Sequence, residues 1–150
     1  MILAVDANVL VGLLLRPAGQ ALVRHSALNL SVADVAWAEA EHNLRRRVLG
    51  MLQHGRLDDA MAEFILNEAL RIGRTQVELV GVTSYAIYES EARRRMPHDM
   101  TDWPTIAVAL LLGAAIWTED RHFHGCGVAC WTTETLPRQL PDQLSLLPHP

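Results

Sequence analysis

Short apolar runs alternate along the chain with longer stretches in which apolar residues recur at helical spacing. The first run, residues 2–5, is continuously apolar and ends at Asp6, which is typical of a strand buried on both faces of a parallel sheet. Further strands are predicted over residues 30–32, 77–82, 114–117 and 128–131. Strands that alternate with helices indicate an α/β domain with a mainly parallel central sheet.

The helices are predicted from caps and breakers as well as from apolar spacing. Asp34 is expected to cap a long helix that breaks at Gly55, and Thr101 to cap a helix that ends at Gly113. The other helices are predicted over residues 8–15, 17–25, 58–72 and 84–95. The helix over 58–72 has four apolar residues roughly on one side: Ala60, Phe64, Ala69 and Ile72.

The length of 150 residues fits one domain, and we predict a core over about residues 1–136 with an irregular tail from Pro137. The net charge of −4 argues against a general nucleic-acid coat protein, which is usually basic. It does not argue against an enzyme that gathers acids in one pocket. All thirteen basic residues are Arg, so any mechanism that needs a Lys amine is excluded.

Composition also bears on where the protein works. The N-terminal segment is apolar, but it has no basic region and contains Asp6, so we do not expect a signal peptide. The longest later apolar run, residues 106–117, is too short to span a bilayer. Two cysteines, Cys126 and Cys130, are too few for a disulfide framework and agree with a reducing compartment. We therefore expect a cytoplasmic protein with no membrane partner.

Four carboxylates stand out, although each has an ordinary explanation when it is taken alone. Asp6 follows the first strand but could cap the next helix, and Asp120 follows a later strand but could be a turn residue. Glu39 lies on a partly apolar face of its helix, whereas Glu41, about 200° further round, is expected to face solvent. Asp102 stands near the start of a helix, where negative charge is favourable in any case.

Taken together, these four acids make a stronger case than any one of them. Asp6 and Asp120 each follow a strand, and ligands bind at the carboxyl ends of the strands in open α/β sheets. Carboxylates gathered there repel one another unless a cation lies between them, and hard divalent ions prefer such oxygen ligands. A pair of such ions can orient an attacking water and stabilise the leaving oxygen of a phosphodiester. The pattern therefore predicts metal-dependent phosphodiester hydrolysis.

Four segments carry a more specific pattern. They are residues 2–10, with Asp-x-Asn after apolar residues; 38–44, with an acid five residues before a Leu; 102–110; and 117–123, with Thr-x-Asp-x-x-Phe. Together they resemble PIN domains, in particular the VapC-type toxins of type II toxin–antitoxin pairs. The match covers nearly the whole chain, and the last two segments, eighteen residues apart from Asp102 to Asp120, are the most specific.

The resemblance implies a three-layer α/β/α fold and cleavage of RNA that depends on Mg²⁺ or Mn²⁺. It implies four catalytic acids: Asp6, Glu39, Asp102 and Asp120. Of these, Asp6, Asp102 and Asp120 are expected to bind metal. Asp99 is a possible fifth acid, and the choice between Asp99 and Asp102 as the direct ligand stays open. Asn8 and Thr118 are expected to support the site. The implied partners are an RNA substrate, a cognate antitoxin protein and a second copy of the chain.

Several alternatives stay open at this point. The loop with His122, His124, Cys126 and Cys130 has zinc-binding residue types, but not the spacing of a standard zinc motif. A haloacid-dehalogenase-like phosphotransferase also has an Asp after its first strand, but that resemblance expects an Asp at the position of Asn8 and a later Lys. A catalytically inactive PIN-like module that binds RNA or protein, and a housekeeping PIN nuclease, are the remaining alternatives.

Two basic runs are further candidates for a role with RNA. Arg45-Arg46-Arg47 and Arg93-Arg94-Arg95 could contact RNA phosphates. The ordinary explanation, that they are solvated helix faces or partners of a helix C-terminal dipole, is at least as good from sequence alone.

Overall fold

The computed structural model describes residues 1–141. Its five strands form one sheet in the order β3-β2-β1-β4-β5, and every neighbouring pair is parallel. The strands are β1 (Ile2–Val5), β2 (Asn29–Ala33), β3 (Val77–Val80), β4 (Ala115–Trp117) and β5 (Cys130–Trp131). The predicted α/β class with a mainly parallel central sheet is confirmed.

Helices cover both faces of this sheet. They are α1 (Ala7–Leu14), α2 (Pro17–Val23), α3 (Asp34–Gln53), α4 (Asp59–Gln76), α5 (Val82–Tyr85), α6 (Glu89–Arg95) and α7 (Trp103–Leu112). Helix α1 contacts α2, α3 and α4, whereas α7 packs on β1, β2 and β4 and contacts α5 and α6. The result is the predicted three-layer α/β/α arrangement.

Strand β1 is the middle strand, and helix α7 has no exposed residue. Leu3, Ala4 and Val5 are at most 1% exposed, because a central strand of a parallel sheet is covered on both faces. Helix α7 has a buried run from Pro104 to Ala109, since the sheet covers one side of it and α5 and α6 cover the other. Gly113 ends α7 in the left-handed conformation, with φ of 59°, which glycine adopts readily.

The prediction that Asp34 caps α3 is wrong. Asp34 is the first residue of that helix and Ala33 holds the cap position. The Asp34 carboxylate instead accepts hydrogen bonds from the Tyr85 hydroxyl, at 2.6 Å, and from the Val82 N–H, at 2.9 Å. This side chain therefore joins α3 to α5 across a long stretch of sequence, a contact that local capping rules cannot show.

The single helix predicted over residues 84–95 is also wrong. The segment is divided into α5, a 3₁₀ turn over Ala86–Tyr88 and α6. Helix α5 already begins at Val82, which is why β3 ends at Val80 rather than at residue 82. Strand β5 is likewise shorter than predicted and starts at Cys130.

Two further expectations about helices need correction. Thr101 does not cap α7; Asp102 holds that position, and the Thr101 hydroxyl donates to the Asp99 carboxylate at 2.8 Å. Helix α4 is capped by Asp58, which accepts from the Met61 N–H, but Phe64 on its predicted apolar side is 65% exposed. That side of α4 is therefore only partly buried against α3.

After β5 the described residues form only a short C-terminal segment. A 3₁₀ turn over Leu136–Gln139 occupies the start of the predicted irregular tail, and the rest of that tail, from residue 142 on, lies outside the described residues. No helix within residues 1–141 is both long enough and apolar enough to cross a membrane.

Candidate active site

Two of the candidate acids follow neighbouring strands of the sheet. Asp6 comes directly after β1, and Asp120 comes three residues after the end of β4. The two strands pair in parallel with Val5 opposite Trp117, and the Asp6 N–H donates to the Trp117 carbonyl at 3.0 Å. Their carboxyl ends therefore meet at one edge of the sheet, where open α/β sheets place their ligands.

Thr118 links these two acids directly. Its hydroxyl donates to an Asp6 carboxylate oxygen at 3.0 Å, and the same hydroxyl oxygen accepts from the Asp120 N–H at 3.0 Å. The Asp6 carboxylate oxygen is thus no more than about 6 Å, two hydrogen-bond lengths, from the Asp120 backbone nitrogen. Thr118 is 1% exposed and Asp6 is 7% exposed, so the link is buried. The structure places Thr118 between the two acids, and its supporting role in a site stays a prediction.

Glu39 and Asp102 lie across a small cleft from Asp6. The cleft has a volume of about 100 Å³ and is lined by Asp6, Glu39 and Asp102 together with residues of α1, α3 and α7. Asp102 reaches it from the N-terminal end of α7, and Glu39 from the second turn of α3. Three elements far apart in sequence therefore bring their acids to one cleft, and Thr118 joins the fourth acid, Asp120, to it.

The electrostatics of Asp102 show how closely these acids are gathered. Burial, followed by the negative charges of Asp99, Asp6, Asp120 and Glu39 in that order, raises the pKa of Asp102 to about 7. Within residues 1–141, no arginine or histidine pairs with Asp102. An acid in such surroundings resists ionisation near neutral pH unless a cation approaches it.

Asp6 shows the same conflict in a more buried position. Burial raises the pKa of Asp6, hydrogen bonds from Thr118 and from the Asn8 N–H lower it, and the charges of Glu39 and Asp120 raise it. Asp6 stands at the cap position of α1, where the Asn8 N–H lies near its carboxylate but not in the geometry of a regular capping hydrogen bond. Capping alone therefore does not explain a buried Asp here. Asn8 supports the carboxylate through its backbone, while its side chain faces a separate groove.

Asp99 and Asp102 differ in what surrounds them. The Asp99 carboxylate accepts from the Thr101 N–H at 2.9 Å and from the Thr101 hydroxyl, and these bonds lower the pKa of Asp99. It therefore stabilises the turn that precedes α7 and remains ionised. Asp102 lines the cleft and has no such donors among the described residues. The geometry favours Asp102 as the acid that faces a ligand, with Asp99 acting on it through its charge.

Glu39 and Glu41 are oriented differently from the prediction. Glu41 is the half-buried one, because its carboxylate pairs with Arg74 of α4 at 2.8 Å. Glu39 is exposed and lines the cleft beside Asp6. An exposed Glu39 at a cleft agrees with contact between its carboxylate and a ligand. The pattern of polar and apolar residues along α3 does not reveal this position.

A comparison with protein families matches residues 4–141 to the PIN domain. This chain belongs to the PIN domain family. PIN domains are, in general, metal-dependent nucleases, which are hydrolases. Among curated proteins, no match to the chain was found.

The donor set of this PIN domain fits a hard divalent cation in its chemistry, since it consists of carboxylate and hydroxyl oxygens. Within residues 1–141, no three Asp, Glu, His or Cys side chains are close enough together to enclose an ion as they stand. Like charges favour this separation, and a bound cation reverses that preference. The residues that would hold the ion are Asp6, Asp102 and Asp120.

The structure of this PIN domain adds two residues that sequence reasoning missed. Thr105 is 5% exposed and lines the cleft one helical turn after Asp102, a spacing that places both on the same face of α7. His122 lies with its Nδ1 3.3 Å from an Asp120 carboxylate oxygen, and its charge also acts on Asp99. The i, i+3 spacing from Asp102 could have indicated Thr105 from sequence. The position of His122 beside Asp120 depends on the turn after Asp120, which only the structure shows.

Of the two cysteines, Cys126 belongs to the hydrophobic core and Cys130 packs against it. Cys126 is 3% exposed, and both thiols approach the Val128 carbonyl, at 3.9 and 3.4 Å. Burial, together with the neighbouring Cys126, raises the pKa of Cys130 to about 12. Such thiols resist the deprotonation that zinc binding requires.

The two basic runs of this PIN domain are also distinguished by their surroundings. Arg93 pairs with Glu89 at 2.8 Å, and both Arg94 and Arg95 pair with Glu91. Arg93 lies over the Trp103 ring, and Arg95 also donates to a backbone carbonyl of the cysteine loop at 3.0 Å. This run is therefore engaged in structure, whereas the run over residues 45–47 is exposed on α3.

Proposed function

We propose that this PIN domain is an endoribonuclease that hydrolyses RNA phosphodiesters with Mg²⁺ or Mn²⁺. The observation that carries the proposal is the gathering of Asp6, Glu39, Asp102 and Asp120 at one edge of the sheet. Within residues 1–141, the only basic side chain within ion-pair distance of any of the four is His122, beside Asp120. A fold maintains such repulsion only at a cost, and a divalent cation offsets it.

Each acid has a distinct part in this proposal. Asp6, Asp102 and Asp120 are the carboxylates that would hold the metal, and Thr118 orients the first and third of them through its hydroxyl. When bound, a divalent cation supplies a water of lowered pKa and stabilises the leaving oxygen. Glu39 is exposed at the cleft, where its carboxylate can orient a water or accept a proton.

The test is RNA cleavage by the purified chain with and without metal. We expect EDTA to abolish cleavage, and Mg²⁺ or Mn²⁺ to restore it. Asp6→Asn and Asp120→Asn should each lose activity while remaining folded. Glu39→Gln should also lose activity, whereas the matched variant Glu41→Gln, on the same helix but paired with Arg74, should retain it. Full cleavage in EDTA, or equal activity of the two glutamate variants, would contradict the proposal.

The further proposal is that the chain is the toxin of a toxin–antitoxin pair. Its support is the resemblance of the acidic segments to VapC-type toxins and the narrow cleft, which a segment of a partner protein could block. Expression of the chain alone should stop growth, and Asp6→Asn should remove that effect. A short neighbouring reading frame whose product restores growth would be the antitoxin. Harmless expression of an active nuclease would favour the housekeeping alternative.

A homodimer is part of the same proposal. Met61 and Phe64 of α4 are exposed apolar side chains beside Arg71, a combination that a self-association surface would bury. Light scattering should report a dimer at micromolar concentration, and Phe64→Ser should shift it toward monomer. A monomer throughout that range would contradict the dimer and leave the nuclease proposal unaffected.

The inactive PIN-like module is the alternative from another class. The presence of all four acids argues against it, because a module that only binds has no use for mutually repelling carboxylates. Binding of RNA without any cleavage in Mg²⁺ and Mn²⁺, unchanged by Asp6→Asn, would favour it.

A further inference from the structure

The arginines of this chain fall into two groups, and all thirteen are among the described residues. Seven pair with glutamates: Arg24, Arg71, Arg74, Arg93, Arg94, Arg95 and Arg138. In the described part of the chain, the other six have no carboxylate within ion-pair distance: Arg16, Arg45, Arg46, Arg47, Arg56 and Arg121. Fewer than half of the arginines are therefore without an ion pair in the described residues, and their positions indicate where an anionic ligand could bind.

Two of them, Arg16 and Arg47, line one groove. The groove has a volume of about 540 Å³ and lies between α1, α2 and α3, with Arg16 and Arg47 in its walls. Leu13 and Leu22 contribute apolar surface, and the side chain of Asn8 lies at one end. This volume is in the range that holds a small organic ligand or a nucleotide.

A second, shallower groove continues from the first. It has a volume of about 250 Å³, and Arg47 lines both grooves. Arg56 and His54 complete the basic part of its wall. Arg16, Arg47 and Arg56 therefore follow one continuous path, which we call the arginine groove.

The arginine groove begins beside the acid cleft. Asn8, in its wall, is two residues after Asp6, and Glu119, also in its wall, directly precedes Asp120. A strand whose phosphate lies against the acids would therefore continue toward the arginine groove. The acids alone repel a phosphate backbone, so binding needs cations nearby that are not already neutralised.

We propose that the arginine groove binds the single-stranded RNA next to the scissile bond, with Arg16, Arg47 and Arg56 contacting successive phosphates. The inference rests on the proposed nuclease function and names the surface that positions its substrate. Guanidinium groups suit phosphate because they present several donors in a planar fork. A groove of this size admits one strand rather than a duplex, and exposed single strands are the usual target of RNA-binding surfaces.

The carboxylates near the groove do not cancel its charge. Glu119 accepts from the Thr133 N–H at 2.7 Å, and Glu134 pairs with Arg138 at 3.1 Å. Both share the first part of the groove with Arg16 and Arg47, and neither lines the second part, where Arg56 lies. The second part therefore has only basic side chains among its charged groups, which suits phosphates that no metal neutralises.

The test measures binding separately from cleavage. The probes are 2′-O-methyl octamers of uridine and of adenosine, which lack the 2′-hydroxyl and are read by fluorescence anisotropy in EDTA. Arg47→Gln and Arg16→Gln should each weaken binding about fivefold to tenfold, equally for both sequences, because phosphates carry no sequence information. The slope of log Kd against log salt should fall by about 0.7 for each arginine removed.

Arg45→Gln is the matched control. Arg45 is exposed and unpaired on the same helix, about 200° round from Arg47, and does not line the groove. We expect the Kd of this variant for RNA to lie within about twofold of that of the parent, because a surface substitution outside the binding site has only a small effect. In cleavage assays, Arg47→Gln should raise KM while kcat changes little, as expected for a residue that positions substrate.

The outcomes distinguish the two proposals. If Arg45→Gln weakened RNA binding as much as Arg47→Gln, the effect would come from overall charge rather than from the groove, and the groove proposal would be wrong. Unchanged RNA binding in both Arg16→Gln and Arg47→Gln, with cleavage intact, would also contradict the groove proposal and leave the nuclease proposal standing.

RNA binding that depends on Arg47 but is never followed by cleavage would support the groove proposal and contradict the nuclease proposal. Weakened binding of a partner protein without any change in RNA binding would assign the groove to protein recognition instead.

Discussion

Glu68 on α4 and Asp102 at the start of α7 are both carboxylates at partly exposed positions, yet their surroundings are opposite. Glu68 accepts hydrogen bonds from Arg71 at 2.9 and 2.7 Å and also lies near Arg24. The bonds from Arg71 lower the pKa of Glu68. Burial and neighbouring acids raise the pKa of Asp102 to about 7.

This difference shows that the unneutralised charge in the cleft does not result from a shortage of arginines. The chain pairs arginines with glutamates on α4 and α6 and leaves the acids at the edge of the sheet without such partners in the described residues. The pairs on the helices contribute little because solvent screens them. The cleft, in contrast, stores repulsion that a ligand can relieve, which is a common property of functional sites.

The largest expected effect is a loss of RNA cleavage when Asp102 of the cleft is changed, with Glu68 of α4 as the surface control. Asp102→Asn should lower metal-dependent RNA cleavage by at least about 100-fold, because it removes a metal-binding carboxylate. Glu68→Gln removes a charge of the same kind from α4 and should leave cleavage within about twofold. Single-turnover cleavage with excess enzyme measures both. A Glu68 variant as impaired as the Asp102 variant would remove the distinction between the two regions.

The next effect is the pH dependence of stability without metal. The pKa of Asp102 is raised from 3.8 to about 7, so the folded state holds a proton that the unfolded state releases earlier. Its contribution is fully present below pH 3.8 and is lost as the pH rises through 7. In EDTA we expect the free energy of unfolding to fall by about 1 to 2 kcal/mol between pH 5 and 8, after a discount for solvent screening.

Urea unfolding at several pH values measures this slope. In Asp102→Asn the slope should be much smaller, and the metal-free variant at pH 8 should be at least as stable as the parent. Addition of Mg²⁺ or Mn²⁺ should also flatten the slope of the parent. A metal-free parent whose stability rises steadily from pH 5 to 8 would show that the repulsion in the cleft is unimportant.

A smaller effect is expected from the link between the acids. Thr118→Val removes the hydroxyl that donates to Asp6 and accepts from the Asp120 N–H. Loss of this buried bond should cost about 1 kcal/mol of stability. Because Asp6 and Asp120 would no longer be oriented, the metal concentration for half-maximal cleavage should rise about tenfold. Thr118→Ser keeps the hydroxyl and should behave like the parent; identical metal requirements in all three proteins would exclude a positioning role.

The smallest effect is expected where charges are already paired on the surface. Glu68→Gln should leave the melting temperature without a resolvable change, and high salt should not alter that result, because solvent already screens the pair with Arg71. Calorimetry in low and high salt measures it. A marked destabilisation would mean that the pairs on α4 contribute as much to this protein as the cleft does.

Much of the fold and part of the site could be predicted from local patterns. Continuous apolar residues predicted β1, and Asp6 directly after it was visible as an acid at a strand end. The Thr-x-Asp pattern predicted the second acid in the same way. These signals are local because the period of a strand and the residues that end it lie within a few positions of one another.

Tertiary contacts decided what the local patterns could not. Glu41 rather than Glu39 is paired because α4 brings Arg74 to that side of α3, and Asp34 binds Tyr85 because the sheet brings α5 beside α3. Such contacts join residues tens of positions apart, so no helical spacing or cap signature contains them.

By itself, the sequence determined the order of strands and helices, the residue types at the strand ends and, through its four acidic segments, the resemblance to PIN domains. Only the tertiary structure decided which charges meet. It neutralises Arg93 with Glu89, places Arg47 in a groove with no carboxylate partner among residues 1–141, and separates Asp99 in its own turn from Asp102 in the cleft. The physical reason is that charge interactions depend on distance and burial in three dimensions, which packing of the sheet and its two helix layers sets.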